Sequence, residues 1–431
     1  MKILLCGAVA AIGLPAMVGA AYAEGCSATP LRAIEYDQTP PLTLEQAVAR
    51  AGNTAPEILI AALEARAASA DADQAGRRLN PAVSLETENF AGTGGLEGFN
   101  AYETTLALEQ TFQLGGKRRL SERAARAEAA LASAKCNVQR LEAQRLAGEL
   151  FLDLQAAIEM AAVADASAKL SEEFADIVER RVDAGATAPP ELSRAKAEAA
   201  ILQATADTAR GEAEARALAL ASVWGSAEVD FILPRAEASH LALSGTEPDS
   251  DGTKHPKLQA AQAGAEAKVA ATDRARAGAW PDITVSAGIR RFEDTGDSAF
   301  LVGVSLPLPV FDRNQDATRA AKFRTEGAEL NARAIEARLR AEQASRAAQI
   351  RGAESRLQRL EEEALPFAED AYASAAEGYR VGKFDLTATL DARRSLIETR
   401  AAVIDARLAL LTQTLRLRAL IGAAPFDGEI Q

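Results

Sequence analysis

Two short stretches of the chain, about 200 residues apart, alternate apolar and polar residues one by one. The first lies within residues 82–112 and has a glycine-rich turn, and the second lies within 282–308 and turns at the polar residues 293–298. Such alternation places apolar side chains on one face of a β-strand and polar ones on the other. The pattern therefore predicts two β-hairpins with arms of about ten residues, a length that crosses a bilayer as a tilted strand.

The rest of the chain is rich in alanine, and its apolar positions follow the period of an α-helix. Two of the predicted helices are rods of about 100 Å. The expected helices run from Thr43 to about Leu79 with a bend at Pro56, from 116 to 183, from Glu191 to Trp224, from 255 to 279, from about 316 to 380 with an interruption at Pro366, and from about 386 to 421.

The second half of the sequence repeats the first. Asn80-Pro81 and Trp280-Pro281 open the two hairpins, and Gly185 and Gly382 end the two rods at a nearly constant offset. A repeat of this length indicates a duplicated structural unit and not a solenoid. We therefore assign repeat 1 to residues 42–224 and repeat 2 to residues 255–421, joined by a mid-height segment, 225–254, and followed by a C-terminal tail, 422–431.

The N-terminal 23 residues have the features of a secretory signal peptide, which are one lysine, an apolar run and the cleavage site Ala21-Tyr22-Ala23. A polar tail, 24–41, follows. No second uncharged apolar run of 18 residues is present, so the strands are the candidates for crossing a membrane. An exported chain of this kind is expected in the outer membrane of a diderm bacterium.

Four strands cannot close a barrel, and an open sheet edge in lipid would leave backbone groups unpaired. If the hairpins span the membrane, several chains must therefore share one barrel.

Composition and motifs favour neither nucleic-acid binding nor catalysis. The net charge is −13 and the pI is about 5.0, which argues against nucleic acid as a partner. The two histidines, His240 and His255, show no metal-ligand spacing, so we expect no metal site and no cofactor. The run Glu361-Glu362-Glu363 is interpreted as a solvated helix face.

Cys26 and Cys136 remain after the predicted cleavage, because Cys6 lies in the signal peptide. In an oxidising compartment they are candidates for a disulfide bond that pins the N-terminal tail to the long helix. Lipidation of Cys26 is the alternative, although Ala23-Glu24-Gly25 lacks the large aliphatic residue of a lipidation signal.

Three stretches resemble the TolC-like outer membrane factor family. They are LEQTFQLGGKRRLSERAARAEA after the first hairpin, VGVSLPLPVFDRNQDA after the second, and GYRVGKFDLTATLDARRSL at the second rod end. The LGGKR and FDRNQ forms resemble the CzcC-like branch, which serves heavy-metal exporters.

The resemblance implies a mainly α protein with a membrane β-sheet. The implied homotrimer shares a 12-stranded barrel and continues into a long periplasmic α-helical barrel with a mid-height equatorial domain. It also implies passive export of metal ions received from an inner-membrane, proton-driven RND pump through a periplasmic adaptor.

By matching to the family motif, Asp391 falls where an acidic ring lines the periplasmic mouth, and Glu191 is its nearest equivalent in repeat 1. Tyr379, just before Gly382, is expected among the hydrogen bonds that hold this mouth closed. Asp391 has a second interpretation, as an acid that caps or decorates the first turns of the last helix. The proline pair Pro189-Pro190 departs from the family pattern beside Gly185.

A periplasmic coiled-coil adaptor is the alternative function. Adaptors also contain long helical hairpins, but a single one flanked by β-rich domains, and they lack two amphipathic hairpins.

Overall fold

The structure, a computed structural model, describes residues 41–234 and 255–421. The predicted signal peptide, nearly all of the N-terminal tail, most of the mid-height segment and the C-terminal tail lie outside these ranges. The helices are α1 (Leu44–Thr54), α2 (Pro56–Ala75), α3 (Lys117–Asp183), α4 (Pro189–Ser222), α5 (Pro256–Ala277), α6 (Gln315–Arg359), α7 (Leu365–Arg380) and α8 (Leu386–Leu420). The strands are β1 (Ala82–Glu88), β2 (Glu103–Phe112), β3 (Ile283–Phe292) and β4 (Ser298–Ser305).

The two predicted hairpins are confirmed, and they join into one antiparallel sheet in the order β1-β2-β3-β4. Within the described part of the chain, β1 and β4 each pair along one edge only. The predicted arms of about ten residues are found in β2 and β3, which have 10 each, whereas β1 has 7 and β4 has 8. β1 stops before Asn89, whose φ of 59° leaves the strand region, and β4 stops shortly before Pro307, which cannot donate a ladder hydrogen bond.

The first rod, α3, is an uninterrupted helix of 67 residues, about 100 Å long. The second rod consists of α6 and α7 with a π-helical segment, Leu360–Ala364, between them. Pro366 follows this segment, and its missing N–H and its ring are incompatible with a regular i→i−4 turn. The predicted interruption is thus confirmed, and the wider turn accommodates the proline.

The first helix is broken, not merely bent as predicted, because α1 ends at Thr54 and α2 begins at Pro56. Proline suits the first helical position, where its missing N–H would have no partner in any case. The start of α1 has the predicted capping box. The Gln46 amide donates to the Thr43 hydroxyl at 3.3 Å, and the Thr43 amide donates to the Gln46 side chain at 3.0 Å.

Helix α3 is the centre of the packing. Near the sheet it packs against α2 and α5, and towards the far end it packs against α4 and α8. The largest apolar cluster lies at mid-height, where Phe151 and Leu152 of α3 meet Leu220, Trp224 and Leu415. Alanine supplies much of the remaining core, which lets the helices pack closely side by side.

Ion pairs cross the helices beside the π-helical segment. The Arg407 guanidinium contacts Glu361 at 2.6 Å and Glu159 of α3 at 3.3 Å. Glu362 and Glu363 are exposed, as the interpretation of a solvated face expects, and Glu361 remains 37% exposed while it pairs with Arg407.

The sheet and the rods are joined by close contacts between the two repeats. A Cβ atom added to Gly115 would lie 2.4 Å from the Trp280 ring, and Lys117 forms an ion pair with Asp282 at 2.8 Å. Within the described residues, no helix has the length and apolar character to span a bilayer.

Candidate functional site at the tip of the rods

The two rods end in the same type of turn. Gly185 and Gly382 have φ values of 69° and 77°, a left-handed conformation that suits glycine. In each turn the next amide donates to the carbonyl five residues earlier, at 2.8 Å in the first turn and 2.7 Å in the second. These bonds form a Schellman motif, which satisfies carbonyls left free at a helix end.

The proline pair leaves the course of the first turn unchanged. Pro189 and Pro190 are the first two residues of α4, where a helix needs no backbone donor. In the second turn Asp385 is the N-cap, and its carboxylate accepts from the Ala388 amide at 2.8 Å. Both turns therefore place a new helix the same short distance after the glycine.

A second glycine, Gly378, allows the second turn to close. A Cβ atom at this position would lie 2.1 Å from the ring of Phe384, which folds back over the end of α7. Alanine here would therefore displace the aromatic ring and with it the turn.

Tyr379 connects the two repeats at the tip. Its side chain is 2% exposed, and its hydroxyl donates to the Glu191 carboxylate at 3.3 Å. Its ring lies 5.1 Å from the ring of Phe174, and the Arg181 guanidinium sits 4.6 Å above it. Arg181 also donates to the backbone carbonyl of Tyr379. One side chain of α7 is thus held by both α3 and α4.

The electrostatics of this cluster keep the tyrosine hydroxyl protonated. Burial, and next the negative charge of Glu191, raise the pKa of Tyr379 above its usual value. A neutral phenol is a hydrogen-bond donor at physiological pH, and the carboxylate accepts from it. The cluster therefore contains a hydrogen bond that can hold α7 and α4 together.

Asp391 lies apart from this cluster. It is exposed on α8, next to the buried Leu390, and it makes no hydrogen bond or ion pair with the described residues. The cap of α8 is Asp385, so Asp391 does not cap this helix, but as an exposed acid in the second turn of α8 it fits the other half of the second interpretation, which is an acid that decorates the first turns. The structure thus brings Tyr379 and Glu191 together and leaves the Asp391 carboxylate free to face solvent.

Two arginines at the tip were missed by the sequence analysis. Arg181 is one of two adjacent arginines in the last turn of α3, and nothing in the local pattern shows which of them turns inward. Arg393 is 3% exposed, donates to Ser171 at 2.8 Å and pairs with Glu198 at 3.2 Å. Sequence patterns place arginine on the solvent-facing side of a helix, so they do not indicate that Arg393 is buried. Its partners become apparent only from the packing of α3, α4 and α8.

Cys136 is fully buried against Ile58 and Ala62 of α2, and it takes part in a disulfide bond. Its predicted partner, Cys26, lies outside the described residues, so the pairing stays a prediction. His240 also lies outside them. His255 caps α5, where its Nδ1 accepts from the Lys257 amide at 3.1 Å. Across the described ranges, no three side chains of His, Cys, Asp or Glu gather as a metal site would require.

Comparison with known proteins identifies the family. The model of the family described as "Outer membrane efflux protein" matches residues 47–226 and 253–423, which together cover most of the chain. The chain belongs to this family. It is an outer membrane efflux channel whose helices extend into the periplasm, and its family is one of channels and not of enzymes. The match does not favour the alternative of a periplasmic adaptor.

Several relatives cover this efflux protein over most of its length. The cobalt-zinc-cadmium resistance protein CzcC of Cupriavidus metallidurans is 27% identical over 368 residues, which are 84% of this chain and 85% of CzcC. The nickel and cobalt resistance protein CnrC of the same organism is 31% identical over 295 residues, 67% of this chain and 68% of CnrC.

The fold is also that of a solved outer membrane protein. The outer membrane protein VceC of Vibrio cholerae superposes with a TM-score of 0.72 at 23% identity, covering 88% of this chain and 96% of VceC. The predicted TolC-like fold is thus confirmed.

Proposed function

We propose that this efflux channel conducts divalent heavy-metal ions from the periplasm to the exterior. The observation that carries the proposal is the similarity to CzcC over 84% of the chain and to CnrC over 67% of the chain. The names of these two relatives record resistance to cobalt, zinc and cadmium and to nickel and cobalt. The partners are a periplasmic adaptor and an inner-membrane RND pump, which delivers the ions. The channel itself is passive.

The working form is a homotrimer. A four-stranded sheet with β1 and β4 open at its edges can pair with copies of itself. Three copies give a closed 12-stranded barrel, in which no strand edge faces lipid. The free edges of the sheet support this arrangement.

The tip of the rods is the periplasmic gate. In the trimer, the three Asp391 carboxylates line the mouth and attract cations. The contact between Tyr379 and Glu191 holds the mouth closed until the adaptor docks. The support for these roles is the exposure of Asp391 in the second turn of α8 and the burial of Tyr379 just before the turn at Gly382.

Metal resistance tests the proposed substrate. Cells that contain the adaptor and pump but lack the outer-membrane component should regain cobalt, zinc and cadmium resistance when they express this chain. Unchanged metal sensitivity, with the protein present in the outer membrane, would contradict the proposal.

Planar bilayers test the mouth. Asp391→Asn should weaken cation selectivity and the block by divalent cations added on the periplasmic side. Asp370→Asn, which removes an exposed carboxylate from α7, is the matched control and should behave like the wild type. If the wild type, Asp391→Asn and Asp370→Asn have the same cation selectivity and block as intact trimers, Asp391 does not line the mouth.

A further inference from the structure

The two faces of the sheet have opposite chemistry. The register places Leu106 opposite Leu85 and Ile289, and Ile289 opposite Phe300, on one face. This face is apolar and exposed, as a surface against lipid requires. The adjacent row, which belongs to the other face, consists of Glu86, Thr105, Arg290 and Ala299.

Arg290 is the centre of a charged cluster on this polar face. Its guanidinium contacts Glu103 at 2.9 Å and Glu88 at 3.2 Å, and it donates to the Thr105 hydroxyl at 2.9 Å. These partners lie on β1 and β2, so a single side chain of β3 ties three strands together. The arginine is only 28% exposed, because its partners surround it.

The cluster lies at the end of the sheet away from the helices. Glu88 is the last residue of β1 and Glu103 is the first of β2, beside the turn of the first hairpin. Glu86 lies two residues before Glu88 and therefore on the same face. Two carboxylates thus contact one guanidinium and a third lies on the same face, which leaves an excess of negative charge on this part of the face.

We propose that Arg290 determines the cation preference of the outer exit of the channel. The inference rests on the proposed function, because the trimer is what closes the polar face into a lumen. Three copies of Arg290 then offset part of the negative charge of the carboxylate collar, defined as Glu86, Glu88 and Glu103. The exit is a second electrostatic element, separated from the mouth at Asp391 by the whole length of the rods.

The neighbouring residue provides a matched control. Arg291 is on the opposite face of the same strand, where it pairs with Glu293 at 3.4 Å and its side chain is 60% exposed. Arg290→Gln and Arg291→Gln therefore remove the same charge one residue apart, but only the first removes it from the lumen.

The test is the reversal potential of purified channels in planar bilayers under a potassium chloride gradient. Three charges about 10 Å from the axis change the cation-to-anion permeability ratio by about threefold at low salt, and screening removes the effect near 1 M. Arg290→Gln should raise this ratio by about threefold, and Arg291→Gln should leave it unchanged. Glu103→Gln should lower it by a similar factor.

Arg290→Lys distinguishes the effect of the charge from an effect on folding, because lysine keeps the positive charge but loses the planar guanidinium and its hydrogen-bond geometry. It should retain the wild-type ratio at low salt. Two results in conducting channels would overturn the inference. One is an equal change of the permeability ratio in Arg290→Gln and Arg291→Gln, and the other is an unchanged ratio in both Arg290→Gln and Glu103→Gln. A wild-type protein that forms no conducting trimer would instead contradict the proposed function, and the inference with it.

Discussion

The contact between Tyr379 and Glu191 can be tested by removing a single oxygen atom. Tyr379→Phe deletes the hydroxyl that donates to the carboxylate at 3.3 Å. The ring is retained, and with it the contacts to Phe174 and Arg181. The substitution therefore isolates the hydrogen bond from the packing.

The expected magnitude follows from the geometry. A hydrogen bond to a charged acceptor contributes about 1.5–3 kcal/mol, and a long one at a partly exposed carboxylate contributes less, about 1 kcal/mol. If three chains open together, the closed state of Tyr379→Phe loses about 3 kcal/mol, which is about a 100-fold change in the ratio of closed to open channels. The variant should thus be open far more often.

The assay is the open probability of single channels in planar bilayers. Tyr372→Phe is the matched control, because this half-buried tyrosine is in the same helix and its hydroxyl has no hydrogen-bond partner in the described part of the chain. It should gate like the wild type. If Tyr379→Phe also gates like the wild type, the hydrogen bond does not hold the mouth closed and the reasoning fails.

Three further substitutions test other parts of the structure. Burial, and next the charge of Lys257, lower the pKa of His255, while the carboxylates of Glu142 and Glu342 raise it by less. As the pH falls, the unfolded chain therefore binds a proton at this histidine before the folded chain does. The free energy of unfolding should thus decrease as the pH drops below about 6.5. His255→Asn keeps the cap and should flatten this loss between pH 7 and 5 in thermal melts. Gly378→Ala should destabilise the protein by about 1–3 kcal/mol, since the added methyl overlaps a ring. Cys26→Ser should leave one free thiol at Cys136, whereas the wild type should show none.

A specific result would contradict each of these three predictions. Parallel pH profiles of the wild type and His255→Asn would show that the cap does not titrate. Gly352→Ala, at an exposed helical site with open space, is the control for Gly378→Ala and should stabilise slightly, so equal effects would contradict the close approach. Two free thiols in non-reduced peptides, or a lipid on Cys26, would refute the predicted disulfide.

The sequence predicts those features of the fold that have a local signal. Alternation of period two locates both hairpins, and the glycines at 185 and 382 locate the ends of the rods, because left-handed turns favour glycine. Pro366 marks the interruption in the second rod. The sequence also places Tyr379 at the tip, since it lies three residues before the glycine.

Other features depend on tertiary packing and have no such signal. Arg180 and Arg181 are equivalent in the sequence, and only the crossing of α3 and α7 puts the second beside Tyr379. Arg393 looks like a surface residue of an amphipathic helix until three helices bury it. Glu361 belongs to an acidic run, and nothing in that run shows that it pairs with Arg407 of α8.

The most direct test of the account is the mass of the purified protein in mild detergent, measured by native mass spectrometry. Four strands per chain with two open edges require several chains to close a barrel, and the proposed homotrimer predicts a particle of three chains. It should stay intact in Tyr379→Phe, because this side chain lies at the tip of the rods, away from the sheet. A particle with the mass of a single chain, folded and soluble in that detergent, would contradict the shared barrel on which the channel depends.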